Sequence, residues 1–189
     1  MRLAAAGYRA MPWKNGQGTT REIAREPAPG PDAGTDFLWR LSIAEVAQSG
    51  EFSLFPGYDR TITLIEGAGM RLAFAEAPEK VIDRPFQPFD FSGDWACYCT
   101  LLGGPVRDFN LMFDRRRAWG KTEAVRLSGH PLEQSVEAGW LLVYCAEGVL
   151  SAGGFAAEAG DTIRLGSGYH EIRGDGLALF ISVHMLFGK

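Results

Sequence analysis

Histidine and cysteine are scarce in this chain, three of each among 189 residues. His130, His170 and His184 form no His-x-His pair. A zinc, iron or manganese centre in a β-protein draws imidazoles and carboxylates together from neighbouring strands. No metal and no cofactor are therefore expected, and the histidines are read as satisfied or surface residues. Basic charge is also short: 19 Lys+Arg against 23 Asp+Glu leave a net charge of -4. That excludes a polybasic nucleic-acid binder held by phosphate neutralisation. No apolar run approaches the ~18 residues of a membrane helix, and Met1–Arg9 lacks the apolar centre of a signal peptide. A cytoplasmic protein with neither a nucleic-acid nor a membrane partner is expected. Three cysteines cannot all pair internally, and Cys97, Cys99 and Cys145 lie in apolar stretches, as buried reduced thiols would. Sustained helical periodicity is missing as well, so helices should be few and short.

What is abundant is punctuation: 24 Gly and 10 Pro divide the chain into short apolar runs of strand length. The clearest are 37–46, 61–65, 70–74, 96–102, 140–145, 162–165 and 177–186, many rich in Ile, Val, Phe, Tyr and Thr. An all-β architecture follows, with a long loop over 26–36 where Pro27, Pro29 and Pro31 forbid a regular ladder. A weak internal repeat is present. Ile62–Gly67 precedes Met70, and Leu142–Gly148 precedes Val149, each read as strand, Glu-Gly turn, strand. Each half also carries a Gly-Asp step, Gly93-Asp94 and Gly160-Asp161. Two similar barrels in tandem are predicted, over 1–110 and 111–189.

The segment Ala159–His170 resembles the second conserved motif of cupins: a Gly-Asp turn, an apolar strand, a glycine turn and a histidine, here one residue short before His170. The strands ending in Glu66-Gly67 and Glu147-Gly148 are similar to the end of the first cupin motif. Metal-binding members carry a His-x-His pair and an upstream Glu there; the Glu position falls on Arg60 and Leu141, and the pair is absent from both halves. A closer resemblance is to the HutD/Ves family of bicupins. It is carried by Met11–Ala24, Trp39–Ala44, Phe55–Met70 and Asp108–Met112. The resemblance implies a bicupin fold, two cupin-like barrels of the RmlC-like jelly-roll type packed together. It also implies a link to bacterial histidine utilisation, in which a HutD protein is thought to bind a pathway intermediate and restrain operon expression. Ves is described as stress-induced, and no established reaction comes with either name.

Several residues could carry ligand chemistry. Trp13–Glu22 gathers Lys14, Asn15, Thr20 and Arg21 around Gly16 and Gly18, where backbone N–H groups can approach an anion. The same segment can equally be a turn opening an edge strand; it fits neither a P-loop nor a dinucleotide fingerprint. In Trp39–Ala44, period-2 geometry sets Arg40, Ser42 and Ala44 on one face and Trp39, Leu41 and Ile43 on the other. Arg40 faces solvent by default and becomes a pocket cation only if the barrel interior is polar. Arg60, standing where a metallocupin has its Glu, exchanges a cation site for a bidentate donor toward a carboxylate; alternatively it forms a surface pair with Asp59 or Glu66. Asp108 and Asn110 share one face, able to orient a polar ligand, act as acid and base, or cap a turn. Cys97 and Cys99 share a strand face with no histidine nearby, as inert buried thiols would. Arg115–Arg117 is a solvated face or part of the connection between barrels.

Three function classes fit these residues. The first is a metal-free binding protein for a small carboxylate, with Lys14, Arg40 and Arg60 as cations and Asn15, Thr20 and Asn110 as polar guides; urocanate or formylglutamate would follow from the resemblance. The second is a metal-independent enzyme using Glu22, Asp108 or Glu66 as base. The third is an interaction module built on an exposed sheet edge. A homodimer is compatible with all three.

Overall fold

The computed structural model describes residues 1–13, 16–28 and 37–186. The regular structure is almost entirely strand, with a single 3-10 turn, Ala5–Gly7, among the described residues. The chain divides into two compact units: Arg9–Arg116, and Met1–Tyr8 together with Arg117–Lys189.

The Arg9–Arg116 unit contains two antiparallel sheets. The larger runs, in spatial order, Arg9–Pro12, Gly18–Pro27, Phe37–Val46, Val106–Asp114, Tyr58–Glu66, Pro88–Ser92. The smaller runs Gly50–Phe52, Cys97–Leu101, Met70–Phe74, Lys80–Ile82. Val46, Ile62 and Leu64 from the first sheet and Met70, Leu72, Cys97 and Cys99 from the second form one apolar cluster. Alternation explains which side chains enter it, because residues of one parity along a strand share a face. The opposite parity of the central strands, Trp39, Leu41, Ile43, Phe109 and Leu111, is buried too. Burial on both faces is why these strands read as continuous apolar runs rather than as clean alternation.

Val106–Asp114 follows both of its neighbours in sequence yet lies between them. It pairs with Phe37–Val46 on one side and Tyr58–Glu66 on the other. This crossover aligns the polar residues of three distant segments.

The predicted Glu-Gly hairpins are corrected by the sheet pairings. After Glu66 the chain leaves the larger sheet, and Met70–Phe74 joins the smaller one, so the strands flanking Gly67 are not ladder partners. Gly67 and Gly69 serve this passage with φ of 104° and 107°. Around Gly148 there is no turn: Gly139–Ala152 is one strand with a register shift between Cys145 and Glu147. Gly148 has φ 77°, and a Cβ there would strike the Asp175 carbonyl, so the glycine serves a bulge in a continuous strand.

The other unit is a seven-stranded antiparallel sheet ordered Arg2–Leu3, Thr162–Leu165, Gly139–Ala152, Gly168–Met185, Ala118–Ser128. Leu132–Val136 joins Gly168–Met185, and Phe155–Glu158 joins Gly139–Ala152. One buried cluster includes Leu141, Val143, Leu150, Ile163, Ile172 and Phe180. Both Gly-Asp steps become turn staples, one in each unit. Asp161 accepts from the Ala5 and Glu158 amides and from Arg2 Nε, while Asp94 accepts from the Gly57 amide and Ser92 Oγ. The loop expected over 26–36 begins later than predicted, because Glu26 and Pro27 still belong to the strand Gly18–Pro27. Residues 29–36 of that expectation lie outside the described residues.

Candidate functional site

Three rows of the larger sheet in the Arg9–Arg116 unit build the site. In the first, Met112 pairs with Arg40 on one side and Arg60 on the other. In the second, Asn110 stands between Ser42 and Ile62; in the third, Asp108 stands between Ala44 and Leu64. Arg40, Ser42, Ala44, Arg60, Asp108, Asn110 and Met112 thus line one cavity of about 470 Å³. The default reading of Arg40 as solvent-facing is overturned, because the interior at this end of the sandwich is polar. Arg60 is 6% exposed and Asp108 is fully buried. The surface pairs weighed for Arg60 do not form: Asp59 pairs with Arg115 at 3.0 Å and Glu66 with Arg107 at 2.8 Å.

Arg60 Nη2 donates to Asn110 Oδ1 at 3.0 Å, and Asn110 Nδ2 donates to Asp108 Oδ1. One amide therefore joins a buried cation to a buried carboxyl. Among the described residues, Asp108 Oδ2 and the Nε of Arg40 and Arg60 are buried without a hydrogen-bond partner. Burial dominates the electrostatics. It pushes the Asp108 carboxyl up to about 7, against the opposing pull of Arg60 and the Asn110 amide. It lowers Arg60 to about 10, against the attraction of Asp108. Arg40 is lowered in the same way, and Glu22 resists the shift.

Aromatic rings complete the surroundings. Phe55 lies 5.2 Å from the Arg40 guanidinium and 5.4 Å from that of Arg60. Arg60 also meets Phe91 at 4.8 Å and Phe52 at 5.7 Å, and Arg40 meets Phe37 at 5.0 Å. Such contacts favour a desolvated cation electrostatically. Arg40 Nη2 makes a further soft contact to Met112 Sδ at 3.3 Å. At the neighbouring edge, Trp13 Nε1 donates to Thr20 Oγ1 at 2.9 Å, and both residues line the cavity.

Of the residues singled out from sequence, Thr20, Arg40, Arg60, Asp108 and Asn110 come together in this cavity. Lys14 and Asn15 lie outside the described residues. Glu22 is not among the lining side chains; it pairs with Arg25 at 3.8 Å. Glu66 is exposed on Arg107. Sequence reasoning missed Phe52 and Phe55. The segment following the strand Gly50–Phe52 carries no strand periodicity, the local signal of which face a side chain takes, through Pro56 and Gly57. Met112 was within reach of that signal, two residues beyond Asn110 on the same face.

The residues present do not fit a metal of the cupin type. Arg60, a cation, lines the cavity, at the position where the resemblance to cupins implies a metal-binding Glu. His130, His170 and His184 all belong to the other unit, where His170 Nε2 contacts the Gly166 carbonyl at 2.7 Å and His184 lies against Trp119 at 5.2 Å. Among the described residues no three His, Cys, Asp or Glu side chains converge on a common point. No helix among them is long and apolar enough to cross a membrane.

An uncharacterized 21.2 kDa protein in the hutC 3' region of Pseudomonas putida is 49% identical over 115 residues, covering 61% of this chain and 58% of that protein. Protein Ves of Citrobacter koseri is 46% identical over 110 residues, covering 58% of this chain and 55% of that protein. The matched segment thus spans little more than half the length of either relative. The structure of HutD from Pseudomonas fluorescens SBW25 (formate condition) superposes with a TM-score of 0.87 at 34% identity, covering 99% of each chain. At the level of fold alone, a cupin 2 conserved barrel domain protein from Leptotrichia buccalis aligns with a TM-score of 0.57 at 10% identity. The fold is all-β and cupin-like, and the HutD family model matches residues 5–179. The chain belongs to the HutD family.

Proposed function

We propose that the Arg9–Arg116 unit is a metal-free receptor for a small carboxylate, which places its carboxylate against Arg60 and Arg40 with Thr20 and Asn110 as polar guides. The observation that carries this reading is the pairing of two cations with one cavity whose single fully buried carboxyl, Asp108, is not obliged to be ionised. A guanidinium matches a carboxylate with two parallel hydrogen bonds, and exclusion of water strengthens the match. A volume of about 470 Å³ suits a small organic acid. Membership of the HutD family, and a relative described by its place in the hutC 3' region, favour an intermediate of histidine utilisation such as urocanate or formylglutamate. Modulation of expression would then be indirect, since a net charge of -4 disfavours binding to phosphates.

A thermal-shift panel tests the reading. Urocanate and formylglutamate at ~100 times Kd should raise Tm by roughly 5–11 °C, and their neutral amides should not. A shift produced by divalent metals and abolished by chelator, with no carboxylate response, would contradict it.

A second reading is favoured by Asp108. A buried carboxyl brought to about 7 is matched to general-base work at neutral pH. Turnover of an Arg-held carboxylate without added metal, abolished in Asp108→Asn, would establish a metal-independent enzyme instead.

A further inference from the structure

We infer that the cavity binds a carboxylate with Asp108 in its protonated form, so that a cavity whose Asp108 is ionised takes up a proton together with the ligand. The inference rests on the carboxylate reading above and adds its regulation by pH.

The geometry leads to it directly. Asp108 receives one hydrogen bond, from Asn110 Nδ2 to Oδ1, while its buried Oδ2 has no partner among the described residues. A carboxylate kept ionised in a protein interior accepts several donors. Arg60, the nearest cation, reaches Asp108 only through Asn110. Apo protein therefore holds a loosely compensated pair. A ligand carboxylate at Arg60 places a second negative charge around the same buried guanidinium. Each negative charge disfavours the other, and the less solvated carboxyl, Asp108, is the one that protonates.

The other charged and titratable groups facing Asp108 do not supply the proton. Arg60 from Tyr58–Glu66, lowered to about 10, remains cationic up to pH 8, and Arg40 from Phe37–Val46 is lowered by burial. Cys97 and Cys99 from Cys97–Leu101 are raised by burial to about 11 and 12 and stay neutral. Glu51, from Gly50–Phe52, lines the cavity but is exposed. The proton comes from solvent and resides on Asp108, with no bond to the ligand made or broken.

The sign follows from the free protein. Asp108 sits near 7 before binding and rises further when the anion arrives, so affinity is constant below pH 7 and falls above it. Isothermal titration with N-formyl-L-glutamate, whose carboxyls ionise far below this range, reads the effect. The wild-type Kd should be about tenfold weaker at pH 8 than at pH 6. Titrations in buffers of different ionisation enthalpy should show uptake of roughly one proton at pH 8 and almost none at pH 6. Asp108→Asn, the isosteric copy of the protonated state, should bind with equal affinity at both pH values. Wild-type binding that is independent of pH, without proton uptake, overturns the inference and leaves the carboxylate reading standing. An Asp108→Asn variant that keeps the tenfold dependence also overturns it. Absence of binding by formylglutamate, glutarate and urocanate at pH 6 overturns the carboxylate reading and the inference together.

Discussion

Arg40 and Arg60 stand in one row of the larger sheet, each paired across the ladder with Met112, and a single ring, Phe55, lies beside both guanidiniums. Two like charges held beside one ring repel each other, and Arg40 indeed contributes to lowering Arg60. A fold gains nothing from that arrangement alone. It becomes favourable when an anion arrives.

Phe55 is therefore expected to matter to binding more than to folding. Phe55→Ala removes the shared ring and opens the two guanidiniums to water, costing ~0.5–2 kcal/mol of cation–π energy. Carboxylate affinity should weaken roughly 2- to 30-fold by calorimetry. Unchanged affinity would show that the ring is mere packing.

Asp108 should make the free protein less stable as pH rises. Its folded value near 7 lies above the ordinary 3.8, so between about 4 and 7 the folded state holds a proton that the unfolded chain releases. Stability then falls as pH increases through this window. Asp108→Asn abolishes the loss. In urea titrations the variant's stability relative to wild type should grow by a few kcal/mol, on the order of 1–4, from pH 4.5 to pH 7.5. A constant difference across this range would contradict the buried-carboxyl account.

Gly93 couples the backbone behind the site to the loop carrying Phe55. Its N–H donates to the Tyr58 carbonyl at 2.8 Å, and its carbonyl accepts from the Phe55 amide at 2.8 Å. A Cβ at this position would lie 2.6 Å from the Phe55 carbonyl oxygen and 2.9 Å from that of Tyr58, so backbone must move. Gly93→Ala should cost about 1–3 kcal/mol, lowering Tm by ~2–4 °C per kcal/mol. It should weaken carboxylate binding at the same time. A Tm equal to wild type would refute the close approach.

The three thiols should be silent in the native protein. Burial raises Cys97 to about 11, Cys99 to about 12 and Cys145 to about 11, and the thiolate is the reactive species. Ellman's reagent at pH 8 should titrate almost none of them until denaturant is added, and three thereafter. Rapid modification of the folded protein would argue for a reactive cysteine.

The all-β class was legible in the short apolar runs between Gly and Pro, and the polarity of the site's face in period 2. Arg40, Ser42 and Ala44 had to share a face, as did Asp108 and Asn110, whatever the tertiary context. Their convergence was not legible. It depends on Val106–Asp114 inserting between two strands that precede it, and no local pattern encodes that crossover. The burial of Arg40 illustrates the difference: its parity was readable, but whether that parity looked inward depended on the opposite sheet. Phe55 was hidden because a Pro-Gly turn separates it from Arg60, and turns break the periodicity that would have placed it. The Glu-Gly repeat misled in the other direction, since a positive-φ glycine serves a tight turn, a sheet-to-sheet passage and a bulge equally well.

The most direct measurement is a calorimetric titration of formylglutamate and urocanate at pH 6 into wild type and Arg60→Ala, with circular dichroism confirming that the variant remains folded. Loss of a charge-assisted, water-excluded contact to the ligand costs about 3 kcal/mol or more, so affinity should fall by roughly 100-fold or beyond. Equal affinity in the folded variant and in wild type would contradict the assignment of Arg60 as the carboxylate anchor, and with it the central claim.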